Sequence, residues 1–247
     1  MQLARSILFN VLMYLAMAAI GAWYLPQAVF SRDKALEACK VYCRWVRWSA
    51  ERIVGLRTEV RGPVPVEPCI VAAKHQSFLD IILIFSAVPR GRFIMKSLLK
   101  WAPILGWFAL RIGCVPVDRG KRREAIRQML ADVKSGRVEP GQIIIYPQGT
   151  RVAPGASLPY KVGAYVLYEQ TRQPCVPAAT NVGVFWPRHG VLRKPGLAVV
   201  EFMPPIEPGL DQPAFLGRLE AEVEGASDRL MAEAGFQLAV RDESGDA

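Results

Sequence analysis

The 247 residues include two histidines, and one of them, His75, is followed five positions later by Asp80. A carboxylate that accepts from one imidazole nitrogen fixes the tautomer and leaves the other nitrogen able to take a proton. That is general-base chemistry, worth about 10²- to 10⁴-fold in rate where it operates. The same spacing also fits a helix start, with Ser77 as N-cap and Asp80 in the first turn, so Asp80 can equally be read as part of a capping box. His189, in Pro187-Arg188-His189-Gly190, reads as a loop residue.

A second group of residues suits an anion. Gly149 lets backbone approach a ligand closely, Thr150 offers a hydroxyl, and Arg151 offers a planar fork that matches phosphate oxygens. Arg119, in Asp118-Arg119-Gly120, supplies another guanidinium, and Lys96 an ammonium. Lys121-Arg122-Arg123 reads as a solvated helix start. No Walker loop, dinucleotide fingerprint or Gly-x-Ser-x-Gly elbow occurs, so a covalent serine mechanism lacks its usual platform. The five cysteines stand at 39, 43, 69, 114 and 175, an odd number without Cys-x-x-Cys spacing. A tetrahedral metal site has too few ligands, and buried, reduced thiols in a cytosolic setting are expected instead, with no metal and no cofactor.

The charge is unevenly spread around a net +9. Residues 1–62 carry nine basic and four acidic groups, residues 63–200 nineteen and seven, and residues 201–247 three and eleven. The middle of the chain therefore expects an anionic partner, and the acidic end does not share that task. An apolar fraction of 51% with 21% charged residues is that of a chain that buries a core.

These residues need a frame. Apolar runs at Cys69–Ala73, Arg92–Met95, Cys114–Val117, Gln142–Tyr146, Cys175–Thr180 and Leu197–Phe202 read as strands. Helical patterns lie between them at 78–87, 97–110, 121–135 and 160–171, with a long one at 213–234. Gly136 and Gly235 sit where helix C-caps belong. This alternation predicts an α/β fold, a largely parallel sheet flanked by helices. In such folds functional groups gather at the carboxyl ends of strands, where His75, Lys96, Arg119 and Gly149–Arg151 all fall.

The first 60 residues differ from the domain predicted for 61–247. Ile7–Leu25 is almost wholly apolar and, as a helix, roughly 29 Å long, about one hydrocarbon thickness. Pro26 is expected to close it, with Trp23 and Tyr24 as interfacial aromatics. A cleaved signal peptide, suggested by Ala16-Met17-Ala18, and a buried core helix are the rival readings. A second helix is predicted over 32–57, with Leu36, Cys39, Cys43, Val46, Ala50 and Ile53 on one face and basic residues around Trp45 and Trp48 elsewhere. It reads as an amphipathic helix on an anionic membrane surface, or else as a solvated helix packed on the domain. Positive charge after the apolar segment predicts a chain bound to the inner (cell) membrane with its domain on the cytoplasmic side. A nucleic-acid partner does not fit that hydrophobic start.

Taken together, the motifs resemble those of the glycerolipid acyltransferase family, most closely its lysophosphatidic acid acyltransferases. His75-Gln76-Ser77-Phe78-Leu79-Asp80 is similar to that family's His-x4-Asp block. Gly113-Cys114-Val115-Pro116-Val117-Asp118-Arg119 is similar to its second block, Pro147-Gln148-Gly149-Thr150-Arg151 to its Pro-Glu-Gly-Thr-Arg block, and Val176-Pro177-Ala178 to its fourth. The blocks stand in the family's order over about residues 60–205. Gln148 departs from the usual Glu, keeping the size but not the charge. The resemblance implies transfer of an acyl group from acyl-CoA or acyl-carrier protein to the free hydroxyl of lysophosphatidic acid, giving phosphatidic acid at the bilayer. It implies His75 as base, Asp80 as its orienting partner, and backbone N–H groups near Ser77 for the oxyanion. The phosphate falls to Arg119, Gly149, Thr150 and Arg151, with Lys96 and Gln148 beside them, and Val176 and Pro177 are expected to border an acyl channel. The alternatives are a different lyso-lipid acceptor, such as lyso-ornithine lipid, and a non-catalytic lipid-binding protein on the membrane surface.

Overall fold

The computed structural model describes residues 1–117 and 139–237, together with Glu124, Arg127, Ala131 and Ser135. The predicted helix over 121–135, the Gly136 cap and Asp118-Arg119-Gly120 thus fall wholly or mostly outside the described residues. Two helices come first, α1 (Gln2–Phe30) and α2 (Arg32–Ser49), the latter running on as a π-helical turn over Ala50–Val54. Then follow β1 (Leu56–Arg61), β2 (Ile70–Ala73), α3 (Leu79–Ala87), β3 (Arg92–Lys96), a 3-10 turn (Ser97–Trp101), α4 (Leu105–Arg111) and β4 (Val115–Val117). The rest comprises β5 (Ile143–Ile145), α5 (Gly163–Thr171), β6 (Cys175–Thr180), α6 (Val182–Phe185), β7 (Gly196–Phe202) and α7 (Gln212–Glu233).

The strands form one seven-stranded sheet in the order β1-β7-β6-β2-β5-β3-β4. β2 to β6 are mutually parallel, while β7 pairs antiparallel with β6 and parallel with β1. The α/β expectation holds, and the five parallel strands bring their carboxyl ends to one edge. Both faces of the sheet are covered, and side chains alternate between them as strand geometry demands. Val71 and Ala73 of β2, Ile144 of β5, and Val176 and Ala178 of β6 face the core shared with α2 and α3. Ile70, Ala72, Ile143, Ile145 and Cys175 face the other core, shared with α5 and α7.

Several element boundaries differ from expectation for local reasons. Pro26 does not close α1 but lies inside it; the missing N–H removes one helical bond, and the helix continues to Phe30 because Ser31 N still reaches Gln27 O at 2.9 Å. The helix expected over 32–57 stops at Val54, where Gly55 takes φ +74°. Leu56 to Arg61 is instead a strand, an alternation of apolar and polar residues that the sequence reading assigned partly to the helix. Gly62 ends it at φ +75°, with Phe202 O so close that a Cβ there would stand 1.9 Å away. The helix expected over 97–110 breaks into the 3-10 turn and α4 around Pro103. Gly235 does cap α7, with φ +74° and Phe236 N donating to Met231 O.

The apolar stripe of α2 meets the protein, not a membrane. Cys43, Val46 and Ala50 are core residues, and Leu36, Cys39 and Ile53 pack against that core. The basic face is partly used as well: Lys40 Nζ donates to Phe85 O and Val88 O at the end of α3, and Arg47 bonds Thr58 and Ser86. The amphipathic signal was real and belonged to packing on the domain.

All five cysteines are free, four of them buried. Burial pushes the Cys114 thiol up to about 11 and those of Cys43 and Cys69 up to about 12, and raises Cys39 and Cys175 as well. Raised values keep thiolate scarce at pH 8, and the thiolate is the nucleophile. The native protein is therefore expected to give less than one equivalent of rapid reaction with a disulfide reagent at pH 8, and five after unfolding. Prompt native labelling of several thiols would contradict this packing.

Candidate active site

At the exit of β2 the chain turns through His75, Gln76 and Ser77 into α3. His75 Nδ1 stands 2.9 Å from Asp80 Oδ1. Asp80 is fully buried, and its other oxygen accepts from Gln76 N and Ser77 N, both at 2.8 Å. The two readings of this spacing therefore hold together: one oxygen fastens the helix start and the other orients the imidazole. Ser77 Oγ accepts from Leu79 N at 2.9 Å. His75 remains 14% exposed at its side chain, and its Nε2 has no partner among the described residues. A base fixed through Nδ1 and open at Nε2 can take a proton from a bound hydroxyl.

Of the backbone N–H groups near Ser77, those of Gln76 and Ser77 itself are committed to Asp80.

Tyr146, at the end of β5, stacks on His75 with ring centroids 3.9 Å apart and planes at 17°. Its hydroxyl titrates well above the usual range, through burial and the neighbouring Asp80 carboxylate. The loop that follows is tied to the histidine directly, because Val152 N donates to His75 O at 2.7 Å. Gly149 sits at φ +70°, and Lys161 Nζ lies 3.0 Å from where a Cβ would stand. Arg151 and Arg188 donate to each other's backbone carbonyls, at 3.3 and 3.0 Å. Among the described residues, neither Arg151, Arg188 nor Lys161 bonds a carboxylate. Three cations gathered around one glycine turn, without acids, are suited to an anion.

Of the predicted site residues, the structure brings together His75, Asp80, Gly149, Thr150 and Arg151. Lys96 ends β3, exposed on the same sheet edge. Arg119 lies outside the described residues. Gln148 is only 2% exposed and points away from the anion cluster, donating to Leu158 O and Glu224. Val176 and Pro177 are buried in β6. The apolar cavity lies elsewhere, about 120 Å³ between α1, α2, α3 and α4, with Phe78, Phe93, Cys39 and Phe108 among its walls. Val176 faces the sheet core instead, so these two residues do not line it. Phe93 stacks in turn on Tyr146, at 6.2 Å and 13°, which leaves the cavity one ring away from His75. Sequence reasoning missed Lys161, which it read as the start of the 160–171 helix although that helix begins at Gly163, and Arg188, an isolated cation in loop sequence with no motif around it.

The model of the Acyltransferase family matches residues 57–181, half of the chain and every described part of this site up to β6. The chain belongs to the acyltransferase family. Among similar proteins, a 1-acyl-sn-glycerol-3-phosphate acyltransferase of Pseudomonas aeruginosa is 25% identical over 236 residues, covering 94% of this chain and 92% of that one. One from Saccharomyces cerevisiae is 28% identical over 242 residues, covering 94% and 80%. The crystal structure of the 1-acyl-sn-glycerophosphate (LPA) acyltransferase PlsC from Thermotoga maritima superposes with a TM-score of 0.77 at 22% identity, covering 97% of this chain and all of that one. The last likeness is one of fold. In this acyltransferase the arrangement at His75 is thus seen in a frame shared over nearly the whole chain.

Asp80→Asn keeps the size of the side chain but puts an amide group against donors. It is expected to remove about 1–3 kcal/mol of stability in urea unfolding. In a thioester acyl-transfer assay it should lower turnover by about 10²-fold or more. Unchanged turnover would show that His75 works without its carboxylate.

Proposed function

We propose that this acyltransferase acylates the free hydroxyl of 1-acylglycerol-3-phosphate, forming phosphatidic acid. The observation that carries the reading is His75, fixed by Asp80 and open at Nε2, joined by a backbone hydrogen bond to a loop of unpaired cations. The names of the Pseudomonas and yeast relatives supply the acceptor. His75 takes the hydroxyl proton as the oxygen attacks the thioester carbonyl; the C–S bond breaks, and the thiolate leaves with the proton that His75 returns. Asp80 stabilises the imidazolium between these steps. The acceptor's phosphate is held by Gly149, Thr150 and Arg151, with Lys161 and Lys96 near and Arg119 assigned to the same task by its motif. The donor is acyl-CoA or acyl-carrier protein, and an acyl chain occupies the cavity behind Tyr146.

The site works at a membrane surface. Among the described residues α1 is the one helix long and apolar enough to cross a bilayer, with a mean hydropathy of 1.8 and 17% of its apolar window buried. Both of its ends are nevertheless tied to the domain. Gln2 Nε2 donates to Val54 O and Arg193 O, and Asn10 exchanges hydrogen bonds with Val191 and Arg193. Near the other end Arg111 donates to Ala28 O and Val29 O. A helix held along its length by the domain lies in the plane of one leaflet, with Leu8, Val11, Leu15 and Trp23 outward. Its basic flank sets the domain on the cytoplasmic side of the inner membrane.

Labelled acyl-CoA and acyl-carrier protein, offered with lysophosphatidic acid in mixed micelles, test the reaction. Wild type is expected to form phosphatidate and His75→Ala to form none. Arg151→Ala should raise the KM for the acceptor about tenfold while changing kcat less. An unchanged KM would favour an acceptor without phosphate, such as lyso-ornithine lipid, and no product from folded wild type with either donor would overturn the proposal. For the membrane seat, Leu8→Glu with Leu15→Glu should weaken flotation with anionic vesicles about tenfold or more. Equal flotation would move the contact to another face.

A further inference from the structure

A buried charged cluster lies behind the histidine. Lys74, the residue before His75, is 2% exposed, and its Nζ stands 2.5 and 2.8 Å from the two carboxylate oxygens of Glu224 on α7. The oxygen at 2.8 Å, Oε1, also accepts from Tyr160 Oη at 3.0 Å and Gln148 Nε2 at 3.4 Å. Burial and the Glu224 charge hold the Tyr160 hydroxyl well above its usual titration range, so it remains a donor. Three segments of the site thus converge on one carboxylate: the exit of β2, the turn after β5, and the approach to α5.

Residue 148 faces two acceptors. Its Nε2 donates to Leu158 O at 3.1 Å as well as to Glu224, while its Oε1 is buried without a partner among the described residues. A carboxylate there would have nothing to donate, and it would place two acids beside a single ammonium. Lys74 and Gln148 reach the same Glu224 oxygen, so a carboxylate at either position 148 or 224 lies next to that ammonium. We propose that Glu224 is a positioning residue, holding Lys74 and Gln148 and through them His75 and the Gly149–Arg151 turn, and that its presence is why residue 148 is an amide.

The proposal rests on the acyl-transfer reading, and four proteins test it: wild type, Gln148→Glu, Glu224→Gln, and the double exchange. Each single change is expected to lower kcat/KM for lysophosphatidic acid at least about tenfold, the first by adding a carboxylate and the second by leaving Lys74 unpaired. The double exchange returns one carboxylate to one ammonium and should come within about threefold of wild type, a coupling of roughly 30-fold. Melting temperatures are read on the same four proteins. Losses that simply multiply, or full activity in Glu224→Gln, would overturn the proposal. A double exchange that recovers the melting temperature but not kcat/KM would overturn it too, reducing the pair to a structural one. Should wild type make no phosphatidate, the acceptor reading fails, and the coupling in melting temperature still decides whether the charge can move between the two positions.

Discussion

The two oxygens of Asp80 carry the geometry on which the site depends. A carboxylate with no exposure needs its acceptor sites filled, and here two backbone amides and one imidazole fill them. The amides make the start of α3 a fixed object, and the imidazole inherits that fixity. Everything nearer the substrate is referenced to the ring. Tyr146 lies flat on it, Phe93 on Tyr146, and the apolar cavity begins at Phe93 and Phe78. A shift of the helix start would move the base, the stacked rings and the mouth of the cavity together. The bond from Val152 N to His75 O extends the same reference to the cationic turn.

Around that point the sheet divides the labour between its faces. The face covered by α2 and α3 leads to α1 and the outward apolar surface, and the face covered by α5 and α7 is closed and carries the buried Lys74–Glu224 pair. The reactive edge lies between them. A chain with an apolar tail and an anionic head meets the matching surfaces in that order: apolar helices and cavity on one side, unpaired cations at the edge. The reversal of β7 and β1 relative to the parallel strands keeps the amino-terminal helices against this first face, since β1 directly follows α2 and pairs with β7.

Much of this was legible before any coordinates. Six of the seven strands, the placing of His75, Gly149, Thr150 and Arg151 at strand ends, and that of Asp80 in the first turn of α3 follow from short apolar runs broken by helical stretches. What escaped has physical reasons. β1 hid because Leu56, Thr58 and Val60 continue a basic helical stretch, and the αL glycine at 55 that separates them is a single residue. The stripe on α2 was visible, but periodicity says that a face is buried and not what buries it. Local spacing allowed Gln76 N and Ser77 N to serve either a ligand or Asp80, and the position of the carboxylate gives these two to Asp80. Val176 and Pro177 were expected at a channel on resemblance; strand alternation puts Val176 in the sheet core, and neither residue lines the cavity between α1, α2, α3 and α4.

Glu224 was the least legible residue, and the reason bears on where this site ends. It lies in the acidic last fifth of the chain, beyond the matched residues 57–181, on a helix whose other acids mostly face solvent or surface arginines. Net charge by segment set that region apart from the anion-binding middle, yet averaging hides the one carboxylate that turns inward. Its partner Lys74 adds to the basic count of the middle without being available to any anion, because its charge is already matched 2.5 Å away. Regional charge therefore overstates the cationic surface by the lysines it cannot see are buried, and understates the reach of the acidic helix. Among the described residues Arg151, Arg188 and Lys161 form a small group beside the Gly149 turn with no carboxylate bonded to them, which is the arrangement a single phosphate requires.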